Sequence, residues 1–430
     1  MKKLLIAATA VLVSSSPLIL LPMEKELTLT SKQVQKLTQN TTVSLSQFKQ
    51  IPKNPRTVTS ILTYKNKELT DFKTNIQADT KLSISAISWN AKGEPVFQLQ
   101  DGDYVAASQK SIIDDSVYNQ KPVDMTLWTK DGLTVYKEPY VLGTEKADSK
   151  LASFKPIKVS RAVQTHAGTY YFADGEGWIN ASDLSTTDNR VEAVQKVLNE
   201  KYNNQESISV YVKQLDTDRI AAINDEKSMY AASVAKLGVL YYAQERLSQK
   251  KLSLSDEYQY TSAVNGFPGA YDPDGSGKIS KMPDDKNYSL ENLLKAVAQN
   301  SDNVATNILG YYVANQYDNS FQKSVDEAAA ITWNMDKKEL TAKAAGTLME
   351  AVYRQNGDII NYLSSTDYDG ERISKNIDVP VAHKIGDAYD FKHDVAIVYT
   401  DSPFILSIFT DKEGYDKITS IADDVYGILK

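Results

Sequence analysis

The segment from Tyr230 to Ala243 limits what this chain can fold into more than any other, because it reads as the start of a buried helix. Ser233 and Lys236 are three positions apart, so they would lie on one face of that helix. A serine hydroxyl is a weak nucleophile, but a lysine amine kept neutral by burial and by nearby cations can take its proton. N–H groups at a helix N-terminus can stabilise an oxyanion. The segment therefore predicts nucleophilic catalysis, with a capping serine and a solvated lysine as the alternative.

Two further motifs follow this segment. Ser301-Asp302-Asn303 comes 68 residues after Ser233, and Lys384-Ile385-Gly386 comes 83 residues after Ser301. With Ser233 and Lys236, these motifs resemble the signature of the penicillin-recognising serine hydrolases, in their class A β-lactamase-like branch. The resemblance covers roughly residues 188–430, and the third motif matches in two of its three positions.

The resemblance implies an α+β fold in which helices flank an antiparallel sheet and a helical subdomain is inserted between the strands. Apolar patterning agrees with this fold and predicts four strands, at residues 208–214, 219–224, 394–400 and 404–410. Ser289 is expected to cap a helix that leads to the second motif. Apolar residues between Ile418 and Leu429 predict a last helix.

The resemblance also implies a role for each of five catalytic candidates. Ser233 would be the acylated nucleophile, and Lys236 would take its proton. Ser301 would relay a proton to the leaving group, and Asn303 would bind the substrate amide while holding the lysine. Lys384 would supply positive charge beside both serines, which lowers the pKa of the Lys236 amine.

The substrate-binding candidates surround the third motif. By resemblance, the backbone N–H groups of Ser233 and Asp387 would form an oxyanion hole, and Gly386 would leave the strand edge open to a substrate backbone. The family's threonine, whose hydroxyl bonds the substrate carboxylate, is Ile385 here. An unpartnered carboxylate costs about 1–3 kcal/mol, so we expect weaker binding of penicillins and D-Ala-D-Ala ends. His383 is the neighbour that would compensate.

A second departure concerns the release of the acyl group. The family's β-lactamases carry a glutamate, with an asparagine four positions later, that activates the hydrolytic water. Between Ile331 and Thr341 this spacing is absent, and Glu339 is the nearest acid, to which we assign no role. We therefore expect slow deacylation.

Composition excludes several other chemistries. The chain has no cysteine and only three histidines, so it offers no thiolate site and no convincing metal site, and we predict neither a metal nor another cofactor. Asp272-Pro-Asp-Gly-Ser-Gly277 looks like a fragment of a calcium loop, but it lacks the distal glutamate, which favours a plain turn. The net charge is −7, with no basic footprint, so nucleic acid is not an expected partner.

The N-terminus resembles an export signal. A basic start is followed by a charge-free stretch from Leu4 to Met23, which predicts a signal peptide or membrane anchor over residues 1–23. The polar residues 24–55 are expected to form a linker. The protein is therefore expected to be extracytoplasmic, either secreted or anchored at the cell envelope, with the membrane as a partner if the segment is not cleaved.

An internal repeat occupies the region between the linker and the hydrolase. The stretch 101–108 recurs at 174–182, and short alternating strands surround both copies. We predict two small all-β modules that resemble bacterial SH3-like wall-binding domains, at residues 56–120 and 121–187. They would bind a cell-wall polymer (peptidoglycan or teichoic acid), or serve as spacers with Trp178 and Tyr104 in their cores.

Two functional hypotheses follow from these features. The first is a serine hydrolase of residues 188–430 that acts on the envelope through an acyl-serine intermediate, as a D,D-peptidase-like or a D-alanyl esterase-like enzyme. A β-lactam would then be a ligand, with weak turnover or none. The alternatives are a catalytically quiet wall-binding protein and a genuine β-lactamase.

Overall fold

The computed structural model describes residues 46–139 and 144–430, which form two compact units. One unit contains residues 46–117, and the other contains residues 118–139 and 144–430. The predicted leader and most of the predicted linker lie outside the described residues. Within the described ranges, no helix is both long enough and apolar enough to cross a bilayer.

The first unit is an all-β module. Its strands are β1 (Pro55–Thr57), β2 (Ile61–Tyr64), β3 (Phe72–Ile76), β4 (Ile84–Trp89), β5 (Pro95–Leu99), β6 (Tyr104–Ala106) and β7 (Ile112–Asp114). The main sheet has the order β3-β2-β6-β5-β4, and β1 pairs with β7. Phe48 packs on Phe97 in the core at a ring-centroid distance of 5.3 Å, so this module's contacts begin inside the predicted linker.

A second all-β module begins the other unit. Its strands are β8 (Asn119–Thr129), β9 (Val135–Tyr136), β10 (Pro156–Thr165), β11 (Gly168–Ala173), β12 (Gly177–Asn180) and β13 (Leu184–Ser185), in the sheet order β13-β8-β10-β11-β12-β9. The sequence repeat corresponds to one hairpin in each module, β5–β6 and β11–β12, with Gly102 and Gly175 at positive φ in the turns. Trp178 is buried against Phe172, which places it in the core. The SH3-like nature and the boundaries of both modules stay predictions.

The C-terminal domain contains all eight α-helices of the described residues. They are α1 (Arg190–Lys201), α2 (Leu237–Ser248), α3 (Leu290–Asn300), α4 (Asn303–Tyr312), α5 (Asn319–Ala329), α6 (Ala342–Gln355), α7 (Asp358–Leu363) and α8 (Tyr415–Leu429). Its strands are β14 (Ile208–Gln214), β15 (Ile220–Ile223), β16 (Met229–Tyr230), β17 (Glu257–Gln259), β18 (Asn287–Ser289), β19 (Glu339–Leu340), β20 (Val381–Ala388), β21 (Phe391–Val398) and β22 (Phe404–Asp411).

A five-stranded antiparallel sheet of order β15-β14-β22-β21-β20 separates two apolar cores. Alternate side chains of a strand point to opposite faces. In β22, Leu406 and Ile408 therefore pack with α1 and α8, whereas Ile405 and Phe409 pack with the helical subdomain. This arrangement confirms the predicted α+β fold. It also leaves β20, which carries the third motif, at an edge of the sheet.

The second module is bonded directly to the start of the C-terminal domain. Asn189 donates a 3.0 Å hydrogen bond to the Thr129 carbonyl, and Lys196 pairs with Asp131 at 2.9 Å. The Arg190 guanidinium lies 5.4 Å from the centre of the Trp128 ring. Residues on both sides of the boundary between the second module and the C-terminal domain therefore fix the short connection between β13 and α1.

Candidate active site

The candidate nucleophile lies on a tight turn between β16 and α2. Residues 232–236 form a 3₁₀ turn that runs directly into α2, so Ser233 and Lys236 share its inner side. The residue before the serine, Ala232, has φ of +48°, which is unusual for a residue with a side chain. Ser233 is 8% exposed, and no described residue forms a hydrogen bond with its hydroxyl. The Ser233 hydroxyl is thus mostly buried and uncommitted.

The Lys236 amine is fully buried beside the second motif. Its Nζ donates to the Ser301 carbonyl at 2.6 Å and to the Asn303 Oδ1 at 2.5 Å. Burial lowers the pKa of Lys236 well below its usual range, and repulsion from Lys384 lowers it further, while Asp302 opposes this shift. A neutral amine with an available lone pair is the form that can accept a proton.

The second motif is held between two helices and a loop. Ser301 ends α3 in a left-handed conformation, and Asp302 caps α4 by accepting from the Ala305 N–H at 2.8 Å. The other Asp302 oxygen accepts from two loop N–H groups, of Lys278 at 2.6 Å and of Ile279 at 2.9 Å. These bonds fix the loop that also carries residues 272–277.

Residues 272–277 form a turn against this motif. The Asp272 carbonyl accepts from the Gly275 N–H at 3.1 Å and from the Asn303 side chain at 2.7 Å. A Cβ on Gly277 would lie 2.3 Å from the Asp302 carboxyl group, so only glycine fits there. The stretch that looks like a calcium loop therefore orients Asn303.

Lys384 on β20 completes the cluster. Its Nζ donates to the Ser301 hydroxyl at 2.8 Å and to the Ile385 carbonyl at 3.1 Å. Burial lowers the pKa of Lys384 to about 7, and Arg372 lowers it as well, while Asp394 opposes the shift. The Ser301 hydroxyl lies between two amines, since the Lys236 Nζ is 3.4 Å away.

Gly386 brings the edge strand against the nucleophile turn. A Cβ at this position would lie 2.6 Å from the Ala231 carbonyl oxygen and 3.0 Å from the Val234 side chain. Such a contact is too close, so a glycine is required for β20 to approach Ser233. The structure thus brings together Ser233, Lys236, Ser301, Asn303, Lys384 and Gly386.

His383 is held away from this cluster. Its Nδ1 lies 3.0 Å from Asp394, and its Nε2 lies 3.1 Å from Asp369. Although burial opposes the charged ring, the two carboxylates raise the pKa of His383 to about 9. The ring is therefore committed to a buried ion pair rather than to the position next to Ile385.

The Asp387 carboxylate is also bound by neighbouring side chains of the protein. Its carboxylate binds Arg372 at 2.9 Å, and it is bonded to Lys392 and to the Tyr415 hydroxyl as well. Asp394, which is fully buried, stands directly opposite Ile385 in the strand register. The two cations that contact Asp387, Arg372 and Lys392, are therefore both paired with a carboxylate.

The segment before α6 supports the nucleophile turn without placing an acid in the site. Trp333 is buried and donates its indole N–H to the Ala235 carbonyl at 3.2 Å. Glu339 pairs with Tyr230 through the backbone, and its side chain is exposed. The adjacent Lys338 is buried instead. Lys338, Trp333 and the buried Tyr271 carry no sequence pattern that marks them as part of the site.

Comparison with known proteins agrees with this arrangement. A model of the Beta-lactamase enzyme family matches residues 189–429, more than half of the 430-residue chain. The chain therefore belongs to the Beta-lactamase enzyme family, and it is a serine hydrolase with a class A β-lactamase-like fold. A domain of unknown function, DUF5776, matches residues 47–112. No curated protein matches the chain.

Several solved structures resemble the chain at low identity. The structure of PBP-A is 14% identical, with a TM-score of 0.48 over 55% of this chain and 96% of that chain. A β-lactamase from Sphaerobacter thermophilus DSM 20745 is 16% identical, with a TM-score of 0.44 over 56% and 95%. A β-lactamase from Francisella tularensis is 18% identical, with a TM-score of 0.44 over 56% and 98%.

Proposed function

We propose that this protein forms an acyl-enzyme on Ser233 with a substrate of the cell envelope. The observation that carries the proposal is the buried Lys236 amine, which is bonded to Ser301 and Asn303 and lies one turn from the uncommitted Ser233 hydroxyl. A buried amine with a lowered pKa is the group that a serine nucleophile needs as its base.

Each of these groups performs one step of the proposed reaction. The neutral Lys236 amine accepts the Ser233 proton as the serine oxygen attacks the acyl carbon. The carbonyl oxygen becomes an oxyanion, which the backbone N–H groups of Ser233 and Asp387 stabilise. When the intermediate collapses, the Ser301 hydroxyl, held by Lys384, donates its proton to the leaving group and receives the proton that Lys236 took from Ser233, which returns Lys236 to its neutral form. Asn303 orients the acyl chain.

We infer that the substrate presents an acyl group without a free carboxylate, as a D-alanyl ester does. Ile385 offers no hydroxyl. The nearby Arg372 is paired with Asp387 and Glu371, and Lys392 is paired with Asp387. The buried Asp394 opposite Ile385 adds negative charge, which is offset by His383. A free carboxylate would therefore have to compete with these existing ion pairs, so D,D-peptidase-like action on D-Ala-D-Ala ends is the second candidate.

We propose that deacylation is slow. Glu339 is exposed, and the buried side chain beside it is a lysine, so no carboxylate from this segment activates a water. A β-lactam would then be a ligand that forms a long-lived adduct, with little turnover. Fast turnover would instead identify a genuine β-lactamase.

The site of action proposed here is outside the cytoplasm. The charged start and apolar stretch of residues 1–23 support export, and the two repeated hairpins support modules that hold a cell-wall polymer, either peptidoglycan or teichoic acid. Because Trp178 is buried, a polymer site on the second module would use other side chains. A quiet wall-binding protein would share these modules but would not need the buried Lys236.

The test is intact-mass measurement of the purified chain after incubation with penicillin G, beside the variant Ser233→Ala. We expect a slowly formed, long-lived adduct on the wild type alone. A parallel incubation with an activated D-alanyl ester and with a fluorophosphonate should label Ser233 faster than penicillin does. No adduct with any of the three probes would refute the proposed function and favour the quiet binder.

A further inference from the structure

Lys338 is a buried lysine to which the proposed chemistry assigns no role. It is 6% exposed, with a backbone φ of +53°, and its Nζ donates to the Gly269 carbonyl at 3.1 Å. No ion pair joins this amine to a carboxylate in the described residues. A lysine buried without a counterion is costly, so its presence next to the site requires an explanation.

A tyrosine ring connects this amine to the candidate base. The Nζ of Lys338 and the Nζ of Lys236 each lie 4.5 Å from the centre of the Tyr271 ring. The ring is buried, and its hydroxyl donates to the Ala232 carbonyl at 3.2 Å. An aromatic ring attracts a cation, but two ammonium groups that share one buried ring repel each other.

The backbone fixes Lys338 with respect to the nucleophile. Its carbonyl accepts from the Ala231 N–H at 2.7 Å, and the next two residues pair as β19 with β16. The Gly269 carbonyl and the Tyr271 ring then hold the side chain. The amine therefore occupies a set position beside the turn that carries Ser233 and Lys236.

We propose that Lys338 is a positioning residue whose positive charge, acting across the Tyr271 ring, keeps the Lys236 amine in its neutral, proton-accepting form. This role rests on the proposed function of Lys236 as the base. Lys338 lies outside the three motifs, and it affects the reaction only through Lys236.

Several charged groups face Lys236 from the surrounding elements. Lys384 on β20 and Lys281 in the loop before β18 repel a proton on Lys236, and Asp302 ahead of α4 attracts one. Repulsion from Lys338 adds to that of the other two lysines, and burial lowers the pKa of Lys338 itself, with Asp336 opposing. Removing the Lys338 charge should therefore shift Lys236 toward its protonated form.

The experiment is an NMR titration of the full chain labelled with ¹³Cε-lysine, with the Lys236 signal assigned by Lys236→Arg. Lys338→Met and Lys338→Gln remove the charge, and the glutamine retains a donor for the Gly269 carbonyl. We expect both to raise the pKa of Lys236 enough for an about threefold or larger change in its neutral fraction. Lys338→Arg and the exposed neighbour Lys337→Met should leave it unchanged.

An unchanged Lys236 titration in folded Lys338→Met or Lys338→Gln would overturn the proposal. If neither variant folds, the titration of the wild type tests the proposal. The chemical shift of Lys236 should then change at the pH where Lys338 titrates, and the absence of that change would also overturn the proposal. When a probe acylates the wild type, the acidic limb of the rate profile should move to higher pH in Lys338→Met. Should no probe acylate the wild type, the proposed function fails while the NMR result still tests this coupling.

Discussion

The buried pair of His383 and Asp394 should make the stability of the C-terminal domain depend on pH in the alkaline range. The histidine is fully buried between two carboxylates, which raise its pKa to about 9 against burial, from an ordinary 6.5. A raised pKa in the folded state means that the stabilisation is complete below pH 6.5 and is lost as the pH rises through 9. At about 1.4 kcal/mol per pKa unit, the loss is about 3 kcal/mol.

The assay is urea unfolding of the wild type and of His383→Gln between pH 6 and pH 10, followed by circular dichroism at 222 nm. The described α-helices all lie between Arg190 and Leu429, so their signal reports on the domain that contains the pair. We expect His383→Gln to be less stable at pH 6, and the difference to shrink by about 3 kcal/mol at pH 10. The exposed His166→Gln is the matched control, which should follow the wild type at every pH.

NMR of the wild type offers a direct check, because the chain has only three histidines. The His383 ring should remain protonated well above pH 7. Parallel pH dependences for the wild type and His383→Gln, or a ring that loses its proton near pH 6.5, would refute the reasoning.

Three further predictions concern the site. Gly386→Ala should prevent acylation of Ser233 without loss of the 222 nm signal, because the added Cβ would meet the Ala231 carbonyl at 2.6 Å; an adduct at the wild-type rate in the mass spectrum would contradict this. Asp302→Asn should lower the free energy of unfolding by about 1–3 kcal/mol, since its carboxylate accepts three backbone N–H groups, and urea unfolding at the wild-type midpoint would show otherwise. Ile385→Thr should acylate with penicillin G about tenfold faster than the size-matched Ile385→Val, because a hydroxyl bond to a carboxylate contributes about 1.4 kcal/mol or more; equal rates for the two variants would argue against a carboxylate position beside residue 385.

The strands and helices that depend on local patterns could be predicted from the sequence. The strand predicted at 208–214 is β14, and Ser289 caps α3 by accepting from the Asn292 N–H, as its position indicated. Period-two and helical apolar patterns are local, so they survive without tertiary information. The order of the three motifs likewise predicted that Lys236, Ser301 and Lys384 would meet.

The parts that depend on register and burial could not be predicted. The sequence around Lys338 does not show that this lysine is buried while Lys337 is exposed. The buried position depends on a contact with the carbonyl of Gly269, which lies 69 residues earlier in the chain. The expectation that His383 would assist Ile385 used only adjacency in sequence. The strand register instead brings Asp394 within reach of the His383 ring, and that contact requires knowledge of the β20–β21 pairing.

The contacts of Asn189, Arg190 and Lys196 with the second module restrict movement of that module relative to the hydrolase domain. A catalyst on a flexible tether searches a volume set by the tether length, and many points of a surface come within its reach. A catalyst rigidly joined to its holder has one reach and one orientation. If the second module holds a polymer, the spacing along that polymer would decide which acyl group is attacked. Lengthening or shortening the connecting segment 186–189 would then change which acyl group is attacked and would not reduce the rate of attack.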